Sequence, residues 1–184
     1  MDGRLVALGG ERQRALLAVL ALMSGRLVSA ERLIDELWGD DPPARARASL
    51  RMHVSRLRKA LAEAGAGEGR LVSRAGGYLL DVESGACDVD RFKRALTGAR
   101  RAREAGELQV ARDGIEDALG VWRGEPLGGV TSTRWLVGER ARLEEQRLGA
   151  IIEGIELDLE LGRNGESLGQ LDPLVVAQRA TSRV

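Results

Sequence analysis

With 184 residues, 43% of them apolar and only 3% aromatic, the chain can bury an aliphatic core in one domain or two small ones, which argues against wholesale disorder. Its 28 Lys/Arg and 28 Asp/Glu cancel overall but not locally: residues 1–80 carry 13 cations against 9 carboxylates, and residues 81–184 carry 15 against 19. A single cysteine, Cys87, excludes an internal disulfide, no run of about 18 apolar residues offers a membrane span, and no basic-then-apolar leader marks secretion, so a cytoplasmic protein is expected.

Residues 3–8, GRLVAL, read as a short strand that Gly9-Gly10 breaks. Residues 11–24 follow as a helix, with Leu16, Leu17, Leu20 and Met23 on one face and Glu11 at the end where a negative charge favours the helix dipole. Gly25 stops it, and residues 26–28 form an extended link. Ser29 is the N-cap of a second helix, SAERLIDELWG, whose buried stripe is Leu33, Ile34, Leu37 and Trp38. Asp40-Asp41-Pro42-Pro43 turns the chain and sets a proline in the first turn of a third helix, roughly Ala44 to Ala64.

That third helix has two contrasting sides. Leu50, Val54, Leu57 and Leu61 make one apolar seam, while Arg45, Ser49, Met52, Arg56 and Lys59 lie opposite. From 45 to 59 the chain carries Arg45, Arg47, Arg51, Arg56, Arg58 and Lys59 with no acid among them. After a loop at 65–69, residues 70–73 and 78–82 read as strands around Arg74-Ala75-Gly76-Gly77, where paired glycines supply the positive φ of a tight turn. Helix, helix, long basic helix and β-hairpin is the winged helix-turn-helix order. An α-helix fits the major groove, and a cationic hairpin can lie on neighbouring phosphates or in the minor groove.

Residues 84–90 read as a linker, and only helices follow. Phe92, Ala95, Leu96 and Ala99 mark one helix, and Leu108, Ala111, Ile115, Leu119 and Trp122 mark another, with Gly106 between them as the turn of a helical hairpin. A loop at 124–132 containing Pro126 leads to a long helix over 133–162, through Leu136, Leu143, Leu148, Ile151, Ile152, Ile155, Leu159 and Leu161. Beyond Gly162 the periodicity weakens, and Asp172-Pro173 breaks any helix. The expected fold class is thus mainly α with a small β-hairpin wing. A winged helix-turn-helix at 1–83 precedes an all-α, tetratricopeptide-like helical domain at 91–184.

Taken together, GGERQRALLAVLAL, VSAERLIDELWGDDPP, LRMHVSRLRKAL and LVSRAGGYLLDV resemble the Streptomyces antibiotic regulatory protein family. DVDRF, ALGVWRGEPLGGV and ERARLEEQRLGAIIEGIELDLELGR resemble that family's bacterial transcriptional activation domain, and the first domain is also similar to the winged helix of OmpR/PhoB-type response regulators. The likeness covers roughly residues 3–163. Family members carry further strand ahead of DGRLVAL and further helices after LELGR, so it implies an activation domain that is incomplete here.

The resemblance implies a regulator of secondary-metabolite genes that binds direct repeats in promoter DNA and contacts RNA polymerase; because one short recognition helix reads few base pairs, a homodimer or tandem pair on those repeats is expected, with the acidic half meeting polymerase or a sigma factor. It implies base contacts from Arg51 and Arg56. Arg45, Ser49, His53, Arg58 and Lys59 fall near phosphates, Arg74 is the wing cation and Tyr78 the wing aromatic. A phosphate contact at Arg58 would make its loss lower the salt dependence of binding by about one counterion.

Other readings are weaker. His53 is the only histidine and lacks a Cys/His cluster, so no metal site is expected, and Cys87 has no neighbouring base to make it a nucleophile. No phosphate-cradling Gly-Lys-Ser/Thr loop or dinucleotide fingerprint occurs, so neither a cofactor nor an enzyme is expected. Asp40 and Asp41 are explained by a turn beside two prolines. Trp38 and Trp122 sit on apolar helix faces and read as core, while the role of Trp135 stays open. The competing function is a protein-interaction scaffold whose winged helix does not bind DNA.

Overall fold

A computed structural model describes residues 8–65, 69–83, 85–130 and 133–163. The chain divides into two compact units: residues 1–87 with Gly124–Arg142, and Asp88–Arg123 with the chain from Leu143 onward. The expected strand at 3–8 lies outside the described residues except for Leu8, as does the stretch after Arg163.

In the first unit, α1 (Glu11–Leu22), α2 (Ala30–Trp38) and α3 (Ala46–Glu63) enclose an aliphatic core that includes Leu16, Val19, Leu20, Leu33, Val54 and Leu57, each almost fully buried. Leu50 joins them, and Leu61 packs at the edge, so the apolar seam of α3 faces inward as expected. The hydroxyl of Ser29 accepts the amide of Arg32 at 3.1 Å and caps α2. α3 starts later than the prolines implied: Arg45 is its N-cap. Pro42 and Pro43 both precede the helix, and Pro43 disfavours a helical conformation at Pro42.

The strands correct the expected two-stranded hairpin. β2 (Leu71–Arg74) and β3 (Gly77–Leu80) pair antiparallel around Ala75-Gly76, with Gly76 at φ +80°. A third strand, β1 (Val28–Ser29), pairs with the far side of β3, giving the order β1-β3-β2. The segment read as a plain link is therefore a sheet edge. Its register sets Val28 against Tyr78 and Ser29 against Gly77. A methyl group at Gly77 would stand 2.2 Å from the carbonyl oxygen of Val28, so this crossing requires glycine.

Segment 124–142, read from sequence as part of the helical half, packs with the first unit. Leu136 is buried in its core, and Leu127, Val130 and Trp135 lie against it. Thr133 donates to Glu36 at 2.9 Å, and the Arg32 guanidinium sits 5.1 Å from the centre of the Trp135 ring.

The second unit holds α4 (Asp88–Glu104), α5 (Leu108–Gly120) and the larger part of α6 (Arg134–Glu160). α4 begins inside the expected linker. Gly106, at φ +79°, reverses the chain between α4 and α5. Gly114 lets those helices approach closely, because a Cβ there would lie 3.0 Å from that of Ala99. Phe92, Leu96, Ala111, Ile115, Ala150 and Leu157 form the core, and Trp122 meets Phe92 edge-on at 5.2 Å. The expected row of α6 holds at Leu136 and Leu143, which are buried, but not beyond: Ala150, Gly154, Leu157 and Asp158 are buried there, whereas Leu148, Ile152 and Leu159 are exposed.

Candidate nucleic-acid interface

With its apolar seam fixed in the core, α3 presents its cations outward. Arg45, Arg51 and Arg56 are exposed, and none makes an ion pair among the described residues. Arg47 pairs with Glu31 on α2, and Lys59 lies 3.8 Å from Glu63 one turn on. All four of those side chains are more than half exposed, so solvent and salt weaken both pairs and leave the surface cationic. Ser49 is half-buried. Arg74, also without an ion pair among the described residues, stands exposed at the end of β2, and Tyr78 is half-buried on the central strand between Val28 and Ser73.

His53 faces sideways rather than straight outward. It is half-buried, with its ring 5.9 Å from that of Trp38, and the Arg12 guanidinium also lies 5.9 Å from the Trp38 ring. Burial, then the positive charges of Arg56 and Arg12, hold its pKa below the ordinary 6.5. Its Nδ1 is buried without a hydrogen-bond partner among the described residues. Arg12 went unnoticed in the sequence because only tertiary packing brings α1 to this place.

The lowered pKa has a sign that can be tested. The unfolded chain takes up the His53 proton at a higher pH than the folded chain does. The stability carried by the neutral ring is therefore complete above pH 6.5 and is lost as pH falls from 6.5 through the lowered folded value. Thermal melts of wild type and His53→Gln between about pH 7.5 and 5.5 should show the wild type losing more Tm. Parallel curves would refute a ring held neutral by its surroundings.

Arg58, expected near a phosphate, is hydrogen-bonded within the chain. Its Nε donates to the carbonyl of Leu71 at 2.8 Å and its Nη2 to the Ser73 hydroxyl at 2.8 Å, both on β2. The exposed side of α3 therefore contains two kinds of arginine: Arg51 and Arg56 point to solvent, and Arg58 is bonded to the wing. Ser73, a partner in this arrangement, carried no sequence signal.

Among the described residues no group of three His, Cys, Asp or Glu could hold a metal ion, and no helix is long and apolar enough to cross a membrane. Two family models match in tandem. "Transcriptional regulatory protein, C terminal" covers residues 5–80, and "Bacterial transcriptional activator domain" covers residues 87–180. The chain belongs to the Streptomyces antibiotic regulatory protein family of transcription regulators.

Within this family the chain is similar to the regulatory protein AfsR of Streptomyces coelicolor, 40% identical over 184 residues, which is all of this chain and 18% of AfsR. It is 39% identical over 169 residues to the regulatory protein DnrI of Streptomyces peucetius, covering 89% of this chain and 62% of DnrI. Among solved structures, EmbR of Mycobacterium tuberculosis, in complex with a low-affinity phosphopeptide, superposes with a TM-score of 0.90 at 32% identity, over 97% of this chain and 47% of that one. The chain thus spans less than two thirds of each of these relatives. These relatives are all named as regulatory proteins.

Proposed function

We propose that this chain binds promoter DNA sequence-specifically and activates transcription of secondary-metabolite genes. α3 lies in the major groove with Arg51 and Arg56 at base edges, where a guanidinium can make two hydrogen bonds to guanine. Arg45, Ser49, His53 and Lys59 lie near phosphates, and the β2–β3 hairpin with Arg74 and Tyr78 touches the adjacent backbone or minor groove. The acidic helical half meets RNA polymerase or a sigma factor. Two copies on direct repeats extend the short site that one helix can read.

One observation supports this reading above the others: Arg51 and Arg56 are exposed and, among the described residues, without ion pairs, on a helix whose opposite side is fixed in the core. A cationic face neutralised by the protein's own carboxylates would have argued for a scaffold instead.

Selection of bound duplexes from a random pool, followed by mobility shifts at several salt concentrations, tests the proposal. Absence of binding even at low salt would leave the scaffold reading. Arg56→Ala should weaken binding to the selected site by about 1–3 kcal/mol, roughly 5- to 150-fold, and relax the preference at one base pair. Unchanged affinity and preference would remove Arg56 from the base edges.

A further inference from the structure

We infer that Arg58 is a positioning residue that sets the wing at a fixed place beside the recognition helix. The inference rests on the reading of α3 as the DNA-reading helix. It departs from the family expectation of a phosphate contact at this position.

The geometry of the sheet edge carries it. β2 is an outer strand among the described residues, since the order is β1-β3-β2. The amide of Asp81 donates to the carbonyl of Arg70 at 2.6 Å, which directs the Arg70 carbonyl inward to β3. Leu71 is the next residue along the ladder, paired with Leu80, so its own carbonyl points off the outer edge. An outward carbonyl on an edge strand needs a partner or water.

Arg58 supplies that partner from α3, across a groove whose lining includes Leu61, Ala62 and Leu71. Its second bond, to the Ser73 hydroxyl, fixes the strand two residues further on. Two donors of one planar guanidinium held on two residues of one strand define a direction as well as a distance. Arg58 and the hairpin therefore move together. The guanidinium that the sequence offers to DNA is already committed to placing Arg74 and Tyr78.

The experiment separates charge from hydrogen bonding. In Arg58→Gln the side-chain amide nitrogen occupies the place of the arginine Nε, so the bond to Leu71 can persist without the charge. Amide hydrogen exchange of the free 184-residue chain is measured at β2, β3 and Asp81. Arg58→Ala should exchange about tenfold faster there, the equivalent of losing one charge-assisted bond, with α1 unaffected, and Arg58→Gln should restore protection. Exchange unchanged in Arg58→Ala, or not restored in Arg58→Gln, overturns the inference whether or not DNA binds.

Binding to the selected duplex across a salt series then reads the role on DNA. A positioning residue predicts weaker binding of Arg58→Ala with the wild-type salt slope, and near-normal binding of Arg58→Gln. A slope lowered by about 0.9 in both variants would make Arg58 a phosphate contact and overturn the inference. Wild-type protein that binds no duplex would overturn the DNA reading alone, leaving the exchange result to decide the wing.

Discussion

Replacing Asp158 with alanine should destabilise the helical unit by about 3–5 kcal/mol, the range for breaking one partner out of a buried ion pair. Asp158 is fully buried, and the Arg112 side chain that meets it is only 12% exposed. Nε of Arg112 donates to Oδ1 of Asp158 at 2.7 Å, joining α5 to α6. Truncation leaves the guanidinium in a place built for a charge pair. Glu116 lies 3.6 Å from Arg112 but is 78% exposed, so it relieves the loss only in part and favours the lower end of the range.

The pair itself need not be stabilising. Oδ2 of Asp158 has no hydrogen-bond partner among the described residues, so its desolvation is incompletely offset. Substituting both residues with leucine should therefore recover much of the loss seen in Asp158→Ala. Urea denaturation of the single and double variants reads this directly. A single-variant loss below about 1 kcal/mol, or a double variant no better than the single, would contradict a buried pair of this kind.

Gly77→Ala should cost at least about 3 kcal/mol, at or above the top of the usual range for overpacking. The added methyl would meet three backbone atoms: Val28 O at 2.2 Å, Val28 C at 2.9 Å and Ser29 Cα at 3.0 Å. No rotamer change can move them. β1 must separate from β3, which also strains the bond from the Ala30 amide to Gly76 O at 2.9 Å. Chemical denaturation measures the loss, and exchange at Ala30 locates it.

Gly98→Ala is the matched control. That position lies on the exposed side of α4 with nothing within 4 Å of a new Cβ. There the same substitution should stabilise by about 0.5–1 kcal/mol through helix propensity alone. Equal effects at both glycines would show that the contact with β1 is not the cause.

Local patterns made much of this protein readable. The apolar spacing of α2 and α3 marked which faces turn inward, because a helix repeats every 3.6 residues whatever it packs against, whereas α1 is buried more widely than its expected row, at Ala15, Ala18 and Val19 as well as Leu16 and Leu20. Ser29 acts as the cap its position implied, and Gly76 holds the positive φ that a two-residue turn needs. The acid-free run from Arg45 to Lys59 marked the candidate surface before any coordinates did.

What only the tertiary structure decided involves partners far apart along the chain. The two-residue β1 has no pattern of its own and exists because β3 lies beside it. Arg112 meets Asp158 across 46 residues, and nothing near either one signals the other. α6 carries aliphatic residues on several sides, and tertiary packing alone decided among them: Leu136, Leu143 and Leu157 are buried together with Ala150 and Gly154, while Leu148, Ile152 and Leu159 are exposed. Arg51 and Arg58 stand two helical turns apart on nearly the same side of α3, and helical spacing cannot separate them. The difference between a guanidinium free in solvent and one tied to the wing arises only where an edge-strand carbonyl comes within reach.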